Sequence, residues 1–194
     1  MDIVLAQNEG AFAKQIPYKA NLVALRDSMR NSHRTITALP ALVRYLKREH
    51  PDVLLTALHG NIIAVWAKLL SGTHTKLVLS EHNTFRMITQ NMPAWSKWLN
   101  TVLVRLFYPK ADEIVAVSQG VADDLAKTVK IDRRKIKVIY NPVINDTLFI
   151  KANRMPLHPW YKNDHLPIVI AIGRLTKQKD FPTLLEAFHE VIGK

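Results

Sequence analysis

The sequence predicts an α/β fold in which a parallel sheet carries helices on both faces. Three observations carry that prediction. Short aliphatic and β-branched runs alternate with runs of helical period along most of the chain. Hydrophobic residues make up 48% of the 194, enough to fill a packed core. No apolar run reaches the roughly 18 residues that would span a bilayer, so these runs are core material.

The elements follow in order. Strands are expected at Asp2–Ala6, Asn21–Leu25, Val53–Thr56, Lys76–Ser80, Glu113–Val117, Lys137–Tyr140 and Pro167–Ile172. A helix is expected where Ile36, Leu39, Leu42, Val43 and Leu46 share one face, ending before Pro51. Ile62 to Leu70 reads as a second helix. Trp95, Trp98, Leu99, Val102, Leu103 and Leu106 form the stripe of a third, starting just after Pro93. Core packing is the plainer reading of that stripe, and contact with a membrane, aided by Lys97, Arg105 and Lys110, is the other. Val121, Leu125 and Val129 mark a fourth helix, and Phe181 to Ile192 a fifth with Pro182 in its first turn. Residues 141–166 hold three of the ten prolines and no clean period, which reads as a linker. The expected organisation is therefore a domain at 1–140, a linker at 141–166, and the beginning of a second domain at 167–194. A lone strand and helix cannot bury both faces of a parallel strand, so the second domain is expected to be incomplete.

Bulk composition narrows the chemistry. The chain has no cysteine, which excludes disulfides and thiolate metal sites, and its first residues lack a signal-peptide pattern. A cytoplasmic protein is expected. The net charge is +11, and residues 61–140 carry 12 Lys/Arg against 6 Asp/Glu. Basic chains of this kind meet phosphates on nucleic acid, anionic lipid or substrates. The run Arg133-Arg134-Lys135-Ile136-Lys137 lacks interleaved aromatics, so a solvated connection stands beside a phosphate or lipid contact.

Four places could carry chemistry. In Ile168 to Phe181 a buried strand would meet a turn at Gly173, then Arg174 and Lys179, then a helix start. Strand-to-helix turns in α/β sheets bind ligands, and helix N-termini favour anions. Arg174 offers a planar fork and Lys179 a point charge to a diphosphate. A basic surface loop is the bland alternative. Glu81-His82-Asn83 lies at the carboxyl end of an apolar strand, where a neutral imidazole can donate a hydrogen bond to a ligand hydroxyl. His59 lies in a similar loop, where capping alone would explain it. Ser118, in Ala116-Val117-Ser118-Gln119-Gly120, is one residue short of a nucleophile elbow. It reads as a helix N-cap, a ligand contact, or a nucleophile with Asp146 and His165. No histidine pair has metal-ligand spacing, and Asp-x-Asp, Walker and dinucleotide loops are missing.

Four motifs in order carry a resemblance. Gly173-Arg174-Leu175-x-x-Gln178-Lys179-x-Phe181, with Leu184 to Phe188 after it, resembles the opening of the donor domain in family 4 glycosyltransferases of the GT-B fold. Ala111 to Leu125 is similar to the last strand and helix of the acceptor domain. Ile136 to Val143, with Asn141-Pro142, resembles the domain crossing, and Leu79 to Asn83 the strand end beside the reacting sugar. The resemblance runs from about residue 35 to the end.

The resemblance implies two Rossmann-like domains, with 1–140 on the acceptor side. It implies donor-diphosphate contacts from Arg174 and Lys179, donor-side positions at Gly173, Asn141 and Ser118, and a catalytic role for His82. His59, Glu81 and Asn83 fall on the acceptor side. The family often has Gly where this chain has Asp180. The implied reaction moves a sugar from a nucleotide diphosphate-sugar to an envelope glycan or lipid-linked acceptor, mostly with retention and without a bound metal or cofactor. Peripheral contact with the anionic inner face of the membrane is a further expectation, and nucleic acid is not. The family's Gly-rich first turn and its Glu-x7-Glu segment have no counterpart here, so a fragment shortened at both ends, inactive alone, is expected. Two rival readings stand: a hydrolase using Ser118, and a non-catalytic basic module docking on membrane or nucleic acid.

Overall fold

Four short parallel strands stacked edge to edge in chain order organise the first part of the computed structural model: β3 (Val53–Ala57), β4 (Lys76–Glu81), β5 (Glu113–Ala116) and β6 (Ile136–Val138). A separate parallel pair, β1 (Asp2–Leu5) and β2 (Asn21–Ala24), precedes them. The structure describes residues 1–6, 19–25, 35–162, 167–177 and 179–192. Helix α1 (Leu39–Glu49) lies between β2 and β3, and sequential parallel pairing from β3 to β6 forces each later connection to cross over the sheet, through α2 (Asn61–Ser71), then α3 (Phe85–Thr89) with α4 (Ala94–Phe107), then α5 (Gln119–Val129).

Register decides which side chains meet. Leu54 pairs with Leu77, Leu79 with Ile114, and Ile114 with Ile136, so these residues share one sheet face. On that face Leu77, Leu79, Ile114 and Ile136 pack with Val65 of α2, Val104 of α4 and Val121, Leu125 and Val129 of α5. A second cluster joins Leu42 and Leu46 of α1 to Ile63 and Ala67 of α2, with Val4 and Val23 of the first strand pair against it. Full burial of an aliphatic side chain contributes roughly 1.5–3 kcal/mol, so these two clusters dominate the stability of the first unit. Val53 and Leu55 of β3 point to the other face and are exposed.

Local sequence sets the boundaries. Gly72 ends α2 in a left-handed conformation (φ +66°), which glycine adopts without a Cβ clash. Asp112 anchors the start of β5 to β4: its carboxylate accepts the Leu77 N–H at 2.6 Å and pairs with Lys68. Those contacts, the backbone N–H first, hold its carboxyl below the ordinary range.

The chain divides into two compact units, Met1–Pro142 and Val143–Lys194. The second contains α6 (Asp146–Ala152) and α7 (Phe181–Ile192). Helix α6 lies inside the segment read as linker. Asn145 caps it by accepting the Leu148 N–H at 3.0 Å, and seven residues are too few to display a helical period in sequence.

Two further readings need correction. The expected strand at Pro167–Ile172 is not formed, because no described strand supplies the ladder bonds that define one. Its Val169, Ile170 and Ile172 are exposed. The stripe of α4 does not pack into the core. The buried residue of α4 is Val104, while Trp95, Trp98, Leu99 and Leu106 face outward. The basic run agrees with its solvated reading: Arg133 to Lys135 form the turn before β6, and ion pairs hold Arg133 to Asp123 at 2.6 Å, Arg134 to Asp132 at 3.0 Å and Lys137 of β6 to Glu113 at 2.6 Å.

Candidate active site at the carboxyl end of the sheet

Strand β4 ends at Glu81, and the alternation of a strand sends Glu81 into the core and His82 outward. A carboxylate in such a place requires donors. Tyr108, just past α4, donates its hydroxyl to Glu81 Oε1. Asn61, the first residue of α2, donates from Nδ2 to the same oxygen at 2.8 Å and to the Ser80 carbonyl at 3.2 Å. The Asn61 Nδ2 also lies 3.3 Å from the Tyr108 oxygen. All three side chains are buried, at 6%, 4% and 1% exposure for Glu81, Tyr108 and Asn61. Burial first, and then the Glu81 charge, pushes the Tyr108 phenol well above its ordinary range. It therefore remains a proton donor at any working pH. Asn61 Oδ1 is buried without a hydrogen-bond partner among the described residues.

Beside this network lies a cavity of about 190 Å³. Glu81, Asn83, Thr89, Asn100 and Tyr108 give it polar groups, and Phe85, Ile88 and Val104 give it apolar walls. A ligand with hydroxyl or amide groups on an apolar frame fits that mixture. A larger recess, about 470 Å³, is lined by His50, Asp52, Thr73 and Lys76 at the opposite, amino end of β3 and β4. Parallel α/β sheets bind their ligands outside the carboxyl ends of the strands, which favours the smaller cavity.

The predicted residues of the first unit fall as follows. His82 is exposed, and its Nε2 lies 3.1 Å from Ser80 Oγ. Asn83 is half-buried on the cavity wall. His59 sits in the short 3₁₀ turn Leu58–Gly60 before α2, and its side chain lies outside the described residues. Ser118 is the N-cap of α5, its Oγ accepting the Val121 N–H at 3.2 Å. Asn141 is exposed after β6. Tyr108 and Asn61 were not singled out from sequence. They stand 27 and 20 residues from Glu81 along the chain, and a lone tyrosine in a helical run carries no signal of its partner.

In the second unit, Gly173, Arg174 and Lys179 form the turn before α7. The Lys179 stem lies over Gly173, so a Cβ there would come within 3.2 Å of Lys179 Cγ. The turn is tightened by Thr176 N–H to Arg174 O at 2.8 Å and Lys179 N–H to Thr176 O at 2.9 Å. Asp180 holds φ +47°, the left-handed region that glycine enters freely and Asp tolerates. This explains physically how either residue serves at that position. Its carboxylate accepts the Thr183 hydroxyl at 2.9 Å in the first turn of α7.

Comparison with known proteins bears on the family and the fold. The sequence profile described as Glycosyltransferase Family 4 matches residues 3–146. The N-acetylgalactosamine-N,N'-diacetylbacillosaminyl-diphospho-undecaprenol 4-alpha-N-acetylgalactosaminyltransferase of Campylobacter jejuni is 30% identical over 128 residues, 66% of this chain and 33% of that protein. The crystal structure of a glycosyltransferase from Rickettsia africae superposes with a TM-score of 0.65 at 21% identity, covering 98% of this chain and 48% of that one. At that identity the likeness is one of fold: parallel sheets flanked by helices. The chain spans about a third of the Campylobacter relative and about half of the Rickettsia structure. With three quarters of its length matched, from the first strand to the start of α6, the chain belongs to glycosyltransferase family 4.

Proposed function

We propose that the protein is a nucleotide-sugar-dependent glycosyltransferase whose first unit receives the acceptor and whose second unit begins the donor site. The observation that carries this reading is the carboxyl end of β4. There an exposed His82 stands in the chain between Glu81 and Asn83, which line a cavity with amides and apolar walls, in a chain of this family. The imidazole hydrogen-bonds a hydroxyl of the reacting sugar, while Glu81 and Asn83 line the acceptor's seat. Arg174 and Lys179 bind the donor diphosphate and stabilise the charge that grows on it as the glycosidic bond breaks. Gly173 allows the close turn that aims them. The acceptor class is a lipid-linked glycan, supported by the name of the Campylobacter relative. A cytoplasmic site of action follows from the use of nucleotide-sugars.

The test is transfer by the natural protein that carries this sequence. A panel of nucleotide diphosphate-sugars and polyprenyl diphosphate-linked glycans is incubated with it, and products are read by mass spectrometry. A mass gain of one glycosyl unit, lost in His82→Ala, supports the reading. Hydrolysis of esters that depends on Ser118, without glycosyl transfer, would replace it.

A further inference from the structure

The cavity at the carboxyl end of β4 has few proton donors left for a ligand. The Tyr108 hydroxyl spends its proton on Glu81. Asn100 Nδ2 donates to the Ser96 carbonyl at 3.2 Å and to Met92 Sδ at 3.4 Å. Thr89 Oγ1 donates to the Phe85 carbonyl at 3.0 Å. A hydroxyl has one hydrogen to give and an amide nitrogen two, so these donors are used up. Glu81, Thr89 and Asn100 therefore present acceptor oxygens to anything that enters. Asn83 is the exception: it is half-buried on the wall, and among the described residues its amide meets no hydrogen-bond partner. Phe85, Ile88 and Val104 complete the wall with apolar surface.

From this balance we propose that the cavity seats an acetamido group of the acceptor sugar and that Asn83 selects it. The inference rests on the reading of this cavity as the acceptor's seat, and it names the acceptor class, a glycan ending in an N-acetylated amino sugar. The match is group by group. The amide N–H donates to the acceptor oxygens, the amide carbonyl takes a hydrogen from Asn83 Nδ2, and the methyl group lies against Phe85, Ile88 and Val104. Size agrees: pockets for drug-sized ligands run to roughly 300–1,000 Å³. A cavity of about 190 Å³ takes a substituent with the edge of its ring and not a whole glycan. The seat is also preformed. Helix α3, which carries Phe85, Ile88 and Thr89, is held by Asp124 of α5, whose carboxylate accepts the Arg86 N–H at 3.1 Å, and by the Thr84 cap. A wall fixed in advance loses little freedom on binding. Two other substituents fit less well. A plain hydroxyl satisfies the oxygens and leaves the apolar wall uncovered. An ammonium group suits the Glu81 charge, but it leaves Asn83 and the apolar wall unmatched and gives up its own hydration.

The experiment uses the natural protein that carries this sequence, with the panel of nucleotide diphosphate-sugars as donors. Polyprenyl diphosphate-linked acceptors are compared in pairs that differ in one substituent, N-acetylglucosamine with glucose and N-acetylgalactosamine with galactose. Glucosamine supplies the ammonium control. In one pair the acetamido acceptor should exceed its partner by at least about tenfold in kcat/KM, because a site built to hydrogen-bond a group rejects analogues that lack it. Asn83→Ala should lower kcat/KM for that acceptor about three- to tenfold and bring the ratio within the pair towards one. Ile88→Phe narrows the cavity from a partly exposed position and should raise KM for the same acceptor, with circular dichroism as the check on folding of both variants. Equal use of both members of each pair, preference for glucosamine, or a ratio unchanged in both folded variants overturns the inference and leaves the glycosyltransferase reading standing. So does transfer confined to lipid-linked glycans without an acetamido end. No transfer from any donor to any acceptor overturns that reading and the inference with it.

Discussion

Replacing Tyr108 by Phe removes one oxygen from the most deeply buried polar network of the first unit. The ring keeps its place in the core, so the change opens little cavity. Glu81 loses the Tyr108 donor and keeps Asn61 Nδ2 at 2.8 Å. A hydrogen bond to a buried charged group contributes about 1.5–3 kcal/mol, and the remaining donor places the expected loss near the middle, roughly 2 kcal/mol. For a unit of this size that lowers Tm by roughly 7 °C. Because the phenol is protonated throughout the working range, the loss should be the same at neutral and mildly alkaline pH. Urea unfolding of the parent, Tyr108→Phe, Glu81→Gln and the double variant closes a thermodynamic cycle. Coupling of at least about 1 kcal/mol is expected for groups in direct contact. Additive effects, or a Tyr108→Phe loss under about 0.5 kcal/mol, would show that Glu81 and Tyr108 do not hold each other.

Other perturbations separate chemistry from folding. His82→Ala should lower kcat and leave Tm within a few degrees, since the residue is exposed; a large drop in Tm would make it structural. Arg174→Ala and Lys179→Ala should each slow transfer on the order of 10²-fold, and unchanged rates in both would remove them from the donor site. At Asp180, held at φ +47°, Gly should be tolerated within about 1 kcal/mol while Val costs more, read from hydrogen exchange in α7; equal protection in both would contradict the left-handed backbone. The pH profile has two edges. Asp2 and Asp112 have folded pKa values below the ordinary 3.8, so the stability they contribute is present above that value and lost as pH falls through the folded values. Tyr45, which donates to Asp2 at 2.6 Å, is raised by burial first to about 12, so its contribution is full below pH 10 and lost between pH 10 and 12. Tyr108, also raised, adds to the loss above pH 10, so Tyr45→Phe should make the base-side slope shallower without abolishing it, and an unchanged slope would assign the Tyr45 share elsewhere.

The sequence by itself determined what depends on neighbours along the chain. Alternating apolar runs located β3 to β6 and the crossover helices, since strand and helix periods are written locally. The cap at Ser118 was readable because its partner Val121 is three residues away. The polar end of β4 was readable because a strand's carboxyl end in a parallel sheet is a fixed place for ligands. Tertiary structure alone decided the rest. An apolar stripe has the same period whether it faces the core or the solvent, so only the packing of Val104 and Phe107 shows that the stripe of α4 points outward. A strand exists through its partner, and Pro167–Ile172 has none among the described residues despite a strand's composition. The network of Asn61, Glu81 and Tyr108 joins three elements across the sheet, α2, the end of β4 and the turn after α4. Hydrogen bonds of that range leave no spacing in the sequence, because they form only once register and helix docking have brought the three residues together.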